Sequence, residues 1–413
     1  MQTGQLTTDQ LAPRPERLRR ALNTPLLTLY GLGVTVGAGI YVLVGATAAQ
    51  AGPFAPVSFL LAAVVVAFTA FSYAELSTRH PVSAGEAAYV EAGFGAGWLA
   101  TLVGLAVALS GMVSAAAVAI GAAGYLHDLT LVPQEVLTVL VVGIMGLIAL
   151  WGIAQSVTVA AIITVIEISG LILVILWGFF VAPPQGFELA EMLPPLQGPH
   201  WIGIGAASLL AFFAFVGFED MANVAEEVKD PAHTLPRAIL WTLALAAILY
   251  VATTAAVLVA VPIETLATSS APLLLVFDSA SGRMQQVFAV VAIVATVNGV
   301  LIQMIMASRV LYGLADRQHL PAVLAMVSRR TQTPAVATVA VCLITVLLAL
   351  ALPIEALAER TAQIVLFVFV LVNAALLRLK QAGDPGGDFF RVPRLVPVLG
   401  VLTSVLLWGT SFL

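Results

Sequence analysis

Charge is scarce in this sequence. Lys and Arg number 17 and Asp and Glu 22 in 413 residues, 9% together, where an ordinary soluble domain carries about 25%. That rules out a water-soluble globule of usual composition. Cysteine is scarcer still. Cys342 stands alone in an apolar run, which excludes an intramolecular disulfide and a cysteine-rich metal site. His80, His127, His200, His233 and His319 show no metal-ligand spacing with one another or with Cys342. No P-loop occurs, which argues against an ATP-driven pump, and no residue pattern asks for a cofactor. The first 24 residues are polar, carry Arg14, Arg17, Arg19 and Arg20, and contain no apolar core. No cleavable signal peptide is therefore expected.

What is present is apolar length. Hydrophobic residues make up 61% of the chain and the mean hydropathy is +1.04. A membrane span needs roughly 20 such residues to cross about 30 Å of hydrocarbon. Eleven candidates are expected, near 25–50, 54–77, 95–126, 131–152, 156–181, 201–228, 236–261, 284–314, 335–353, 361–379 and 394–413. Their length and period are helical; a transmembrane barrel would show short alternating strands. The stretch 263–282 is too broken to span and reads as an external loop with short helices.

Basic residues set the expected orientation. With the N-terminus in the cytoplasm, fifteen of the seventeen fall inside: the four of the tail, then Arg79, Lys229, Arg237, Arg309, Arg317, Arg329, Arg330, Arg378, Lys380, Arg391 and Arg394. Arg283 and Arg360 fall outside. This bias predicts a cytoplasmic N-terminus and, with eleven spans, an external C-terminus. Arg309 is expected at the cytoplasmic end of span eight.

Glycine is placed oddly. The first span reads GLGVTVGAGIYVLVGA from Gly31 to Ala46, with five glycines. Single glycines in membrane helices commonly serve close packing, which suffices for Gly31 and Gly45. Gly37-Ala38-Gly39 lies about 18 Å along the span from Pro25 at 1.5 Å per residue. Irregular backbone at that depth is tolerated only where it lines a cavity or is buried in protein, and freed N–H groups at a half-helix N-terminus attract an anion such as a carboxylate. A second interruption occurs in span six, at Gly217, followed directly by Glu219 and Asp220 across Phe218. Spans one and six open corresponding halves of a five-plus-five pattern and enter from opposite sides. Paired interrupted helices in inverted halves point to the binding site of a secondary transporter.

Four stretches carry a family resemblance: GLGVTVGAGIYVLVGATAAQAGP at 31–53, SYAELSTRHPVSAGEAAYVEAGFG at 72–95, FFAFVGFEDMANVAEEVKDPAHTLPRAI at 212–239, and ASRVLYGLADRQHLPAV at 307–323 with TPAVAT beyond it. In this order and spacing they resemble the amino acid–polyamine–organocation superfamily of permeases. The resemblance implies an all-α, LeuT-type inverted-repeat core. A tail at 1–24 would precede a first repeat at 25–181 and a second at 201–379, with a linker and helix 11 at 380–413. Members commonly have a twelfth helix; eleven are counted here.

The same resemblance implies the site. Amides near Val36, Gly37, Ala38 and Gly39 would face a substrate carboxylate. The carbonyls of Phe213, Ala214 and Val216, beside Gly217, would face its ammonium. Ala38 stands where many relatives carry Ser or Thr, so a hydroxyl contact to the carboxylate is not expected. Phe215 and Phe218 are candidate gates or core packing, Glu219 and Asp220 hold an inner gate or face water, and Glu75 closes span two at its cytoplasmic end. Asn298 and Gln303 in span eight read as interhelical hydrogen bonders or as pocket contacts.

Glu167 is the most informative charge. It lies roughly 17 Å deep counting from Ser156, where a carboxylate costs about 2.5–3.5 kcal/mol on insertion scales and commonly marks an ion or proton path. Proton-coupled relatives often carry a lysine at the matching position. Glu167 thus reads as a proton shuttle, as a contact for sodium or a cationic substrate, or as a neutral hydrogen-bonding group. The expected function is secondary active transport of amino acids by alternating access with a co-transported proton, in the cell's cytoplasmic membrane. It is not enzymatic and involves no nucleic acid. The alternatives are an amine or polyamine permease, an exchanger, and a non-transporting amino acid sensor. A sensor would append a soluble domain, and no loop exceeds about 20 residues; a channel would want a continuous polar lining.

Overall fold

The computed structural model describes residues 22–81, 85–151, 157–196, 198–328, 331, 333–383 and 386–412. Arg14, Arg17, Arg19, Arg20, Ser156, Arg329 and Arg330 lie outside the described residues, and so does the side chain of Ala38.

Fourteen α-helices follow one another among the described residues, with no named strand. They are α1 (Thr24–Thr35), α2 (Ala38–Ala51), α3 (Ala55–Arg79), α4 (Gly85–Phe94), α5 (Gly97–Thr130), α6 (Gln134–Trp151) and α7 (Val157–Phe180). Then come α8 (His200–Phe213), α9 (Pro231–Ala260), α10 (Ile263–Thr268), α11 (Gly282–Asp316), α12 (Ala335–Ala351), α13 (Ile354–Ala382) and α14 (Leu395–Gly409). Eight stretches are long and apolar enough to cross a membrane, at 39–79, 97–130, 134–151, 161–180, 200–222, 231–260, 282–316 and 354–382. α12 and α14 are apolar but shorter. The chain is a multi-pass membrane protein.

Its helices start where the chemistry allows. Asn23 caps α1 by accepting from the Leu26 amide at 3.1 Å, with Pro25 in the first turn. Pro231 likewise stands in the first turn of α9, which has no side-chain cap. Many apolar side chains remain exposed along the spans, among them Leu147, Ile202, Ile248 and Leu347. In water such a surface would aggregate; against lipid tails it is the expected exterior.

Two details depart from the sequence reading. Residues 85–94, between the spans expected near 54–77 and 95–126, form α4. Arg309 lies two turns inside α11, which runs on to Asp316, and not at its end. Glu75 lies in the last turns of α3. It is fully buried and pairs with Arg79 at 2.7 Å and Lys380 at 2.6 Å, and it also accepts from the Val392 amide at 2.7 Å. This network fastens the 389–392 linker to the end of α3, where Phe389 lies between the guanidinium groups of Arg79 and Arg391.

Candidate functional site

The first span breaks after Thr35. Val36 still donates to the Leu32 carbonyl at 2.7 Å, and Gly37 then turns the chain so that α2 starts afresh at Ala38. Gly37 brings no side-chain cap. Among the described residues, no side chain or loop carbonyl caps the amides of Gly39 and Ile40 either. Uncapped helix N-termini carry partial positive charge.

The second break follows Phe213. Residues 214–217 form turns, Gly217 takes φ +119°, and a 3-10 stretch continues from Phe218 to Glu227. A left-handed backbone is ordinary for glycine and strained for other residues, so the sequence stops the α-helix here by design. The Glu219 carboxylate folds back to accept from the Gly217 amide at 2.9 Å, capping the new segment from its own first turn.

The two breaks lie against each other. A methyl group added to Gly39 would overlap the backbone of Ala214, and one on Gly217 would overlap Val34. The Tyr250 hydroxyl, on α9, joins them. It stands 2.7 Å from the Thr35 carbonyl and 2.7 Å from the Ala214 carbonyl. These carbonyls are the orphans left where α1 and α8 end, and one phenolic proton serves both. The Phe213 carbonyl accepts from the Val216 amide at 3.1 Å. Of the three carbonyls that the sequence assigned to an ammonium, two thus already have a donor, each keeping a second lone pair. Phe215 and Phe218 are both 1% exposed. Phe215 packs on the Tyr250 ring, and Phe218 sits between Tyr73 and Phe369.

Glu167 lies beside the first break. α7 approaches α1 so closely that a methyl on Gly33 would overlap Thr164, one turn before Glu167. The Tyr41 hydroxyl, on α2, donates to the Glu167 backbone carbonyl at 2.6 Å, and Tyr125 donates to that of Tyr41 at 2.6 Å. The Glu167 side chain is fully buried. Asn298 Nδ2 donates to its Oε1 at 3.3 Å, and its Oε2 has no hydrogen-bond partner. A buried carboxyl with one oxygen unpaired asks for a proton or a cation as companion.

A small cavity adjoins the second break, with free volume of about 20 Å³, enough for a water-sized group. Its polar wall is Tyr73, Glu86, Ser110, Glu219, Asp220 and Gln303; Val216 and Phe369 are among its apolar neighbours. Glu86 is 4% exposed and accepts from the Tyr73 hydroxyl at 3.3 Å. It belongs to α4, outside the spans. Burial pushes its carboxyl up to about 7, against a backbone hydrogen bond and the Tyr73 hydroxyl that pull it down.

Sequence reasoning brought forward Gly37, Gly39, Ala214, Gly217, Glu167 and Asn298, and the structure gathers them. It missed Tyr250, Tyr41 and Glu86. The tyrosines read as apolar-run aromatics, and their hydroxyls bond backbone carbonyls that carry no sequence signature.

The profile of the amino acid permease family matches residues 22–413. The chain belongs to that family. It is similar to the branched-chain amino acid permease BcaP of Bacillus subtilis, 29% identical over 415 residues that cover 94% of this chain and 88% of the relative. It is 31% identical to the vacuolar cationic amino acid transporter 4 of Arabidopsis thaliana, covering 90% of this chain and 65% of that longer protein. An uncharacterized transporter of Mycobacterium tuberculosis is 30% identical, with 96% of this chain and 88% of the relative covered. Membership of the amino acid permease family implies an amino acid, a small molecule, as the substrate class.

Proposed function

We propose that this permease moves amino acids across the cytoplasmic membrane by alternating access, driven by a co-transported proton. The paired breaks carry the reading. Two helices lose their hydrogen bonding side by side, deep in the protein, and a tyrosine hydroxyl bridges the loose ends. Residues 25–181 and 201–379 are then the inverted repeats of an eleven-span, LeuT-type protein with its N-terminus in the cytoplasm.

In this reading the substrate carboxylate docks on the amides at 37–39 and its ammonium on the carbonyls of Phe213, Ala214 and Val216. Gly39 and Ala214 touch in the described state, so substrate enters when α2 and α8 part. Phe215 and Phe218 gate the way, Val36 and Gly217 shape the turns, and Glu219 holds the second turn in place. Glu167 takes up the proton. Its backbone is tied to α2 through Tyr41 and its carboxyl to α11 through Asn298. Proton gain or loss on the carboxyl changes what it offers Asn298 and α11, which is how a driving ion biases two states.

Counterflow of radiolabelled amino acids in proteoliposomes tests the transport step. A sensor that binds without moving its ligand gives none. The proton is tested with Glu167→Gln. Uptake driven by an inward pH gradient is expected to fall at least tenfold, while counterflow without a gradient persists. Unchanged gradient-driven uptake removes Glu167 from coupling.

A further inference from the structure

A groove with free volume of about 390 Å³ opens on the lipid-facing side of α5, α13 and α14, a size typical of small-molecule sites. Its α5 wall includes Leu102, Leu105 and Leu109, which share one helix face and are all exposed. α13 adds Arg360, Ile364 and Phe367, again along one face, and α14 adds Trp408. Arg360 lies about 9 Å from the start of α13 at 1.5 Å per residue, and Trp408 is the last residue but one of α14. Both stand near the helix ends expected outside, where Arg and Trp anchor spans at the level of the lipid headgroups.

Charge sets this groove apart from bare lipid-facing surface. Among the described residues, Arg360 is the one charged residue that lines it. Its guanidinium donates to the Gln363 side-chain oxygen at 2.7 Å, which leaves further N–H donors, and it enters no ion pair with a described residue. The surroundings supply the occupant, since lipid is the solvent at this surface. An acyl chain suits the two apolar stripes. A phosphate suits a guanidinium, which it meets with paired, charge-assisted hydrogen bonds. A zwitterionic headgroup would bring an ammonium to a wall that holds a guanidinium and no carboxylate. An anionic headgroup brings negative charge alone.

We propose that this groove binds one anionic membrane phospholipid, with its phosphate on Arg360 and an acyl chain along α5 and α13. The bound lipid flanks the candidate site. Other faces of the same two helices, at Val107, Ser110, Val365 and Phe369, line the cavity beside the second break. Filling the groove ties α5 to α13 next to that cavity's wall and stabilises the folded chain by mass action.

The test offers the purified full chain, in detergent, phosphatidylglycerol and phosphatidylcholine with the same acyl chains, and reads what it retains by native mass spectrometry. The wild type is expected to keep one phosphatidylglycerol, preferred over phosphatidylcholine by about fivefold or more. Arg360→Gln is expected to erase that preference and Arg360→Lys to keep it. Arg283→Gln, at the other basic residue expected outside, should leave it unchanged. Leu105→Trp, which fills the groove, is expected to lower retention of both lipids. Added phosphatidylglycerol should raise the melting temperature of the wild type and not that of Arg360→Gln. All three positions are exposed, so the variants are expected to fold. Equal retention of phosphatidylglycerol by wild type and Arg360→Gln overturns the proposal, and so does a preference for phosphatidylcholine. A dimer that Leu105→Trp dissolves also overturns it, because a second copy then covers the groove. Every readout is binding, mass or melting, and none depends on the transport reading.

Discussion

The break at 36–37 is short and apolar; the break at 214–217 is longer and opens onto acid. At the first, two residues interrupt the helix, and its neighbours are glycine, alanine and valine. At the second, a full turn gives way to a 3-10 segment whose start is held by the Glu219 carboxyl, with Asp220 and Glu86 close by in the cavity wall. One tyrosine hydroxyl serves both. On the proposed reading the bare amides of the first break take the carboxylate that every amino acid carries, while the acidic groups at the second break give the other end of the site a different chemistry.

The comparison breaks most sharply at the point of contact. Gly39→Val places side-chain atoms where the Ala214 backbone lies. Transport is expected to vanish, with about 1–3 kcal/mol lost in stability, read by counterflow and thermal melting.

Glu86→Gln sharpens the acid side. Its folded-state carboxyl titrates near 7 against 4.5 for the free group, so the folded form holds a proton that the unfolded form has released. Stability contributed by Glu86 is full below about pH 4.5, falls as pH rises, and is gone above about pH 7. The loss reaches about 3 kcal/mol. Glu86→Gln is therefore expected to melt like wild type at pH 4.5 and higher than wild type at pH 8. Parallel melting curves across that range refute the assignment.

Tyr250→Phe keeps the ring contact with Phe215 and removes the bridging proton. Two buried carbonyls lose their donor, at an expected cost of about 2 kcal/mol. The smallest effect belongs to Glu219→Gln. The amide oxygen still accepts from Gly217, and the loss is expected to stay near 1 kcal/mol; Glu219→Ala, which leaves that amide uncapped, should cost more.

Much of this architecture was legible in advance. Scarce charge and long apolar runs marked the helices, and Gly37 and Gly217 marked both breaks because they interrupt corresponding spans of two inverted halves. Glu167 stood out because nothing charged surrounds it. The bridge and the cavity did not stand out. Tyr250 sits in LALAAILYVATTAA, where an aromatic reads as packing, and its partners are main-chain oxygens from helices 36 and 215 residues away. Glu86 reads as a solvated loop residue until α4 folds it under the second break. Lys380 and Glu75, 305 residues apart, meet only because α13 returns beside α3.

The most direct measurement is binding of a radiolabelled amino acid to the purified protein and to Gly39→Val. Saturable binding by the wild type, lost in Gly39→Val while helix content holds, is the result expected if the touching breaks part to admit a zwitterion. Equal binding by both proteins would place the substrate elsewhere and contradict the account.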